Sequence, residues 1–333
     1  MPEILAGIHQ LQIPIPNNPL DSTNIYLLQG DNEHLLIDAG WSSEEALQSL
    51  REQLDEIDVK LNDISQIIVT HAHFDHYGLA SRLRHLCQAK VALHHIDKEL
   101  LAPMFSDTSE FIRQAQRWFH VHGIPEEELR APRSAFTGIK SAPALIPPDI
   151  NLLGGHTISN GAFNLQVVWT PGHSPGHICL YEPSQKILFS GDHVLPIITP
   201  NVSLQPNSND NPLADFINSL DLVKQLDVNL VLPAHEHLFT DLRTRVDEII
   251  QHHELRNAEI LDAINTEPKT AYQISARITW MPELGGISFQ DLAPGDRRMA
   301  VSETLAHLAA MRIDGKVVEF RQDDIIYYRH TAK

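Results

Sequence analysis

An α/β fold is the architecture this sequence predicts, and three observations predict it. Short apolar, β-branched runs alternate with helix-like segments through the first hundred residues, the rhythm of βαβ units. Four loops rich in histidine and aspartate each follow one of the strand-like runs directly. After residue 240 the texture changes to amphipathic helices closed by a short ribbon.

In chain order, residues 8–15, 24–28 and 34–38 read as strands of a meander separated by turn residues. Residues 42–57 read as a helix, with Ser43 as N-cap and Glu44 and Glu45 in its first turn. Residues 66–70 are a β-branched run of the kind a buried strand shows; 76–88 then read as a helix and 90–94 as a strand. Residues 107–122 put Phe111, Ile112, Ala115, Trp118 and Phe119 on one helical face, and 126–130 add one turn. From 131 to 148 the chain is proline-rich, so about 103–150 reads as an insertion, and loops that long are usually functional or disordered. Strands resume at 161–169, 177–182 and 186–190, with Glu182-Pro183-Ser184-Gln185 as the turn between the last two. An Asn/Pro/Ser-rich loop at 199–212 leads to a helix at 213–226 and a strand at 229–232. Beyond 240, Leu242, Val246, Ile249, Ile250, Ile260, Leu261 and Ile264 mark a long helix ending before Pro268. Thr270 and Gln273 form a capping-box pair, and Val301, Leu305 and Leu308 mark a third helix with Gly315 as its stop. Residues 317–328 read as a two-stranded ribbon, so the tail predicts a small winged-helix-like domain.

The 333 residues suggest about two domains, which the patterning divides at 1–240 and 241–333. Hydrophobic residues make up 42%, enough for a sizeable core. With 25 basic and 43 acidic residues the formal net charge is −18, which disfavours generic binding to nucleic acid or to anionic membranes. Two cysteines, Cys87 and Cys179, cannot build a disulfide framework or a thiolate zinc site; both fall inside predicted elements and read as small core residues. The start, Met1-Pro2-Glu3-Ile4-Leu5-Ala6-Gly7, lacks the basic and apolar regions of a signal peptide, and no run is long enough to span a membrane. A cytoplasmic protein is the expectation. The twenty histidines are the informative excess, because imidazole is the commonest metal ligand.

The decisive segment is Thr70-His71-Ala72-His73-Phe74-Asp75-His76, three histidines and an aspartate between a strand and a helix. Residues two apart at a strand end point the same way, so His71 and His73 can share one ion, while the turn presents Asp75 and His76 to a neighbouring position. Three further segments follow predicted strands: Thr170-Pro171-Gly172-His173-Ser174-Pro175-Gly176-His177, Ser190-Gly191-Asp192-His193 and Pro233-Ala234-His235-Glu236-His237. A lone histidine loop is usually only a solvated loop. Four at one edge of an α/β sheet point to a metal site.

This series resembles the metallo-β-lactamase superfamily, whose αββα sandwich holds a dinuclear site with a His-x-His-x-Asp-His signature. The resemblance implies that His71, His73 and His173 hold a first metal, that Asp75, His76 and His235 hold a second, and that Asp192 bridges both. Asn24-Ile25-Tyr26-Leu27 and Ile37-Asp38-Ala39-Gly40 match the family's opening strands, with Asp38 implied as a support behind the ligands. The likeness covers residues 8 to about 240, interrupted by the insertion. The remainder resembles, more loosely, the winged-helix tail of the lactamase-β-like subfamily, including His252-His253-Glu254-Leu255-Arg256.

Imidazole and carboxylate ligands without thiolate suit two divalent ions, Zn²⁺ first, with Fe and Mn as alternatives. Two such ions sharing a hydroxide lower its pKa and polarise the group it attacks; Asp75 would hold that hydroxide in line and relay a proton. Of the remaining histidines, His177 and His237 have supporting, solvent or substrate roles open to them, His193 could donate to an oxyanion, and His94, His95, His120, His122, His252 and His253 read as ordinary polar positions. The expected activity is hydrolysis of a small acyl compound, a thioester as in glyoxalase II or a lactone as in acyl-homoserine lactonases. The alternative is an endoribonuclease or phosphodiesterase, as some winged-helix-tailed relatives are. Residues 241–333 carry 12 basic and 15 acidic residues, a net −3, which disfavours a nucleic-acid module. Structural zinc alone ranks behind both, because structural sites are closed and tetrahedral. β-Lactamase activity is disfavoured because the best-known zinc β-lactamases use a cysteine near the position of Asp192, and diiron chemistry because His73 stands where that group carries Glu. The expected partner is a small-molecule substrate, without nucleic acid or membrane; the tail is compatible with a homodimer. The insertion is expected to fold over the metal-bearing edge as a lid, the alternative being that it packs elsewhere.

Overall fold

Aliphatic runs of three to eight residues pair into two sheets that stack face to face. The computed structural model describes residues 3–331 except 17, 19, 32, 107, 130–146, 207 and 208. The first sheet runs in chain order: β1 (Glu3–Leu5), β2 (Ile8–Pro14), β3 (Ser22–Gln29), β4 (His34–Ile37), β5 (Ile64–Ile68), β6 (Lys90–His94) and β7 (Ile150–Leu152). It is antiparallel from β1 to β4 and parallel from β4 to β7. The second sheet contains β8 (Thr157–Ser159), β9 (Asn164–Trp169), β10 (Ile178–Glu182), β11 (Ile187–Gly191) and β12 (Leu230–Pro233) in the order β12-β11-β10-β9-β8. All its pairs are antiparallel except β11 with β12.

The helices are α1 (Glu44–Asp55), α2 (Phe74–Tyr77), α3 (Ala80–Cys87), α4 (His95–Ser106), α5 (Thr108–Val121), α6 (Glu126–Leu129), α7 (Pro212–Lys224), α8 (Leu242–Ala263), α9 (Ala271–Ser275) and α10 (Pro294–Ile313). Strand alternation explains how they layer. In β3, Ile25 and Leu27 face a core shared with Leu47, Leu50 and Leu54 of α1 and Leu83 of α3. Tyr26 and Leu28 face the opposite way, into the core between the sheets, where they join Leu165, Val167, Leu180 and Phe189. On the far side of the second sheet, Cys179, Leu188 and Val231 pack with Phe216, Leu220 and Val223 of α7, and with Val246 and Ile249 of α8. Helix, sheet, sheet, helix: this is the αββα sandwich, and with both faces covered the inner strands read as continuous apolar runs.

Local signals hold where they were strongest. Ser43 caps α1 by accepting from the Ala46 amide at 3.0 Å. Thr270 and Gln273 make the capping box of α9. After α10 the chain closes in the ribbon β13 (Val317–Gln322) and β14 (Ile325–His330), and Cys87 and Cys179 are buried free thiols. Elsewhere the structure corrects the reading. The helix expected at 76–88 is two pieces, because the Leu79 amide donates to the Gly40 carbonyl at 3.0 Å instead of continuing the helix. A side chain at Gly78 could not fit the crossing, since its Cβ would lie 2.3 Å from the Phe74 carbonyl oxygen. The short strands β1, β7 and β8 and the helix α4 carry too little periodicity to be read in advance.

In its described part the insertion packs against the tail. Trp118 and Phe119 of α5, with Ile124 and Leu129, pack into a core made by the tail residues Ile260, Ile274, Val301 and Tyr328. Tyr272 donates to Glu128 Oε1 at 2.7 Å across the same contact. Most of the proline-rich stretch 131–148 lies outside the described residues. Among the described residues, no helix is long and apolar enough to cross a membrane.

Candidate metal centre

Sheet direction brings the histidine loops together. In the first sheet β4, β5 and β6 run parallel; in the second, β9, β11 and β12 share one direction, because β9 and β11 both pair antiparallel with β10. The loops after β5, β9, β11 and β12 therefore meet at one edge of the sandwich, outside the carboxyl ends of the strands, where α/β folds place their sites. They carry His71 to His76, His173, Asp192 and His235.

The seven residues form two adjoining groups. His71, His73, His173 and Asp192 make one, and Asp75, His76 and His235 the other. In the first, His71 Nε2 and His73 Nδ1 are 2.9 Å apart, and His173 Nε2 lies 3.2 and 3.0 Å from them. In the second, His235 Nε2 is 3.4 Å and His76 Nε2 is 3.7 Å from Asp75 Oδ2. Asp192 stands between the groups: its Oδ2 is 3.5 Å from His173 Nε2 and 3.4 Å from His76 Nε2, and its Oδ1 is 3.4 Å from His235 Nε2. His71 and His73 meet through the bend after β5, which ends at Ile68, and not through strand alternation.

Each ring is locked by what its other nitrogen does. His173 Nδ1 donates to the Asn201 carbonyl at 2.7 Å, and His235 Nδ1 to the Ser22 carbonyl at 3.0 Å. His76 Nδ1 donates to Asp38 Oδ2 at 2.8 Å. The Thr70 hydroxyl gives its proton to the Asp38 carboxylate at 3.0 Å, so it accepts from His71 Nδ1 at 3.1 Å. The Nε2 atoms of His71, His76, His173 and His235 are thereby turned into the cluster, free to face a cation. Lone pairs about 3 Å apart repel unless a cation sits among them, and tetrahedral Zn–N bonds imply a nitrogen separation of about 3.3 Å. His76 Nε2, His235 Nε2 and Asp192 Oδ1 are also buried without any hydrogen-bond partner. The residues present fit two divalent ions.

The electrostatics agree. Burial, reinforced by neighbouring imidazoles, pushes His71 well below its ordinary range and His173 down to about 4, which favours the neutral rings a metal would need. Burial also works to lower His76 and His235, but the Asp192 and Asp75 carboxylates outweigh it, raising His76 strongly and His235 to about 10. Burial works to raise Asp75, yet His76 and His235 outweigh it and hold the carboxyl at about 2. A field that draws protons onto two buried imidazoles equally favours cations. His73, Asp75 and His173 remain partly exposed, so the cluster opens to solvent on one side.

Several supports were not legible in advance. Asp97, at the start of α4 and wholly buried, accepts from the Ala72 amide (2.8 Å), Ser174 Oγ (2.9 Å) and the Gly176 amide (2.6 Å), clamping the His71–His73 bend to the His173 loop. Glu236 accepts from the Ile197 amide at 2.9 Å and holds the rim. Asp38 supports from behind, as the resemblance implied, with its backbone at φ 62° and its carboxylate accepting the Thr70 amide at 2.7 Å. Nothing in sequence spacing flags Asp97 or Glu236, whose partners lie 25 to 79 residues away. His177 is a support too, accepting the Asp192 amide at 3.2 Å. His193 is fully buried with its ring 5.0 Å from Phe216; His237 is exposed.

Comparison with known proteins gives a consistent picture. The family model described as "Metallo-beta-lactamase superfamily" matches residues 18–235. The "Probable metallo-hydrolase YqjP" of Bacillus subtilis (strain 168) is 26% identical over 318 residues, covering 92% of both chains. The "Acyl-coenzyme A thioesterase MBLAC2" of Homo sapiens is 30% identical over 229 residues, 65% of this chain and 74% of that protein. A crystal structure of a metallo-beta-lactamase family protein from Thermus thermophilus superposes with a TM-score of 0.81 at 31% identity, covering 98% of this chain and 99% of the other.

Proposed function

The chain belongs to the metallo-beta-lactamase superfamily as one of its hydrolases, and on that premise we propose that it hydrolyses small acyl thioesters with two divalent ions, Zn²⁺ first among the candidates. In this reading His71, His73 and His173 hold one ion, Asp75, His76 and His235 the other, and Asp192 touches both. The observation that carries it is the pair of open-sided histidine–carboxylate groups sharing Asp192. Bound there, such ions lower the pKa of water and polarise a carbonyl oxygen. The protein's own part is orientation and proton handling. Asp38, Thr70 and Asp97 fix the ligand loops, and Asp75, kept ionised at the solvent side, orients the attacking water and relays its proton to the departing thiolate.

The thioester is favoured over the lactone by the likeness to a thioesterase. An apolar rim supports the acyl part: Phe74, next to Asp75, packs edge-on against Trp41 at 6.5 Å, and Ile197 is 41% exposed. Residues 1–240 carry this chemistry in a cytoplasmic, glyoxalase II-like enzyme, with 241–333 as a winged-helix-like tail. The metal-reconstituted protein should turn over acyl thioesters faster than lactones, phosphodiesters or RNA. Cleavage of RNA or phosphodiesters without thioester turnover overturns the proposal.

A further inference from the structure

The C-terminal helices reach the metal-bearing edge through a short chain of polar contacts. His173 Nδ1 donates to the Asn201 carbonyl at 2.7 Å. The Asn201 side-chain amide donates in turn to Glu303 Oε2 at 2.7 Å, and Ser203 Oγ steadies the same side chain by donating to Asn201 Oδ1 at 2.5 Å. Glu303 lies in α10, 102 residues further along the chain. Its neighbour Ser302 accepts the Leu204 amide at 3.0 Å, so one turn of a twenty-residue helix grips the irregular segment 201–204 from two sides. A separate tie joins Thr199 Oγ1 to Glu283 Oε1 at 2.8 Å, and Glu283 is held by His252 of α8 at 3.2 Å.

Within the described tail itself the Glu303 carboxylate meets only a long ion pair. Glu303 is buried, and burying a carboxylate is costly unless it is well paired. The Arg256 Nε faces Glu303 Oε1 only at 3.9 Å, while its Nη1 donates to the Thr279 carbonyl and Glu259 and the guanidinium stacks 4.5 Å above Trp280. Among the described residues, the one short hydrogen bond Glu303 accepts comes from Asn201, at 2.7 Å.

We propose that Glu303 is a positioning residue for the metal centre: acting through Asn201 it fixes the imidazole of His173, so that the tail completes the His71–His73–His173 group. This rests on reading His173 as a metal ligand. Segment 201–204 belongs to no helix or strand, and the Asn201 carbonyl that sets the His173 tautomer is only as fixed as its anchor. Outer partners of this kind change metal affinity by about 10- to 100-fold when lost.

The test uses the full-length, metal-free protein, with Zn²⁺ affinity measured at each of two sites by chelator competition and folding followed by melting of the metal-free form. Glu303→Leu is expected to weaken one ion by about tenfold or more and leave the other unchanged. Glu303→Gln keeps an acceptor and should recover most of the loss. Asn201→Ala cuts the same link from the other end, stays informative if Glu303→Leu does not fold, and should show no further loss when combined with Glu303→Gln or Glu303→Leu. Tyr272→Phe, which removes a tail contact facing the insertion, should alter neither affinity. Wild-type affinity at both sites in folded Glu303→Leu or Asn201→Ala overturns the inference, as does equal weakening of both ions or a Gln variant no better than Leu. A wild-type protein that takes up no ion overturns the reading of the site along with it.

Discussion

Asp192 shows how much a single residue carries. It approaches both histidine groups within 3.5 Å and accepts no hydrogen bond at Oδ1, so its negative charge is spent on the cluster alone. Burial works to raise its carboxyl, but His235 and His76 outweigh that and hold it well below the ordinary range. Asp192→Asn keeps the shape and removes the charge. The wild type is expected to bind about two ions per chain, because seven donors exceed one tetrahedral shell. The Asn variant should fall toward one and lose turnover; elemental analysis and a thioester assay read the two effects, and full activity with two ions retained would remove Asp192 from the centre. The residues of the two groups were legible because each lies in a loop directly after a strand-like run and together they match the signature of the family the sequence resembles. Asp97, Asn201 and Glu303 were not, because each acts on a partner brought near only by tertiary folding, and a buried aspartate in a helix looks like any other until its donors are seen.

At the scale of elements, the junction between α2 and α3 delivers Asp75 and His76 to their places, and a continuous helix there would carry them elsewhere. The break depends on Gly78, whose missing side chain lets the Gly40 and Phe74 carbonyls and the Ser42 amide crowd together. Gly78→Ala should cost about 1–3 kcal/mol, read as a lower denaturation midpoint, with weaker uptake of the ion beside His76; an unchanged midpoint would show that the crossing can relax. The contact of α5 with the tail makes a pH prediction. His122 is buried between Trp118 and Tyr328, and burial lowers it to about 4 from 6.5. As pH falls from 6.5 to about 4 the unfolded chain gains a proton that the folded chain refuses, so stability is lost across that window, by at most about 3 kcal/mol from this residue. His122→Phe keeps the packing and should flatten the decline in urea midpoint between those values. Equal slopes for both proteins would show that His122 is not the group titrating. The amphipathic face of this helix was readable from its period, but a period names no partner, which is why the same face suited a lid as well as the tail core that in fact receives it.

For the whole molecule the question is what the tail of three helices and a ribbon does, since a similar element order serves to read nucleic acid in other chains. Charge argues against that use here. The chain carries −18 overall and the tail about −3, so a polyanion meets net repulsion before any contact forms. The structure adds that many of the tail's basic side chains are already matched: in and beside the ribbon Arg312 pairs with Glu319, Arg321 with Asp324 at 3.1 Å and Lys316 with Asp314 at 3.1 Å. Closer to the sandwich, Arg297 faces Glu128 at 3.4 Å and Arg256 faces Glu259 at 3.0 Å. A phosphate would have to displace a carboxylate at each, and exposed pairs of this kind also leave no unbalanced positive stripe to follow a backbone. The tail is also committed inward, to α5 and α6 through Ile260 and Val301 and to segment 201–204 through Ser302 and Glu303. Fluorescence titration of the full-length protein with labelled duplex DNA and with structured RNA at moderate salt should therefore show no saturable binding below the micromolar range. Sub-micromolar binding with a steep salt dependence would mean that phosphates do outcompete those carboxylates, and the endoribonuclease reading would then return ahead of the thioesterase.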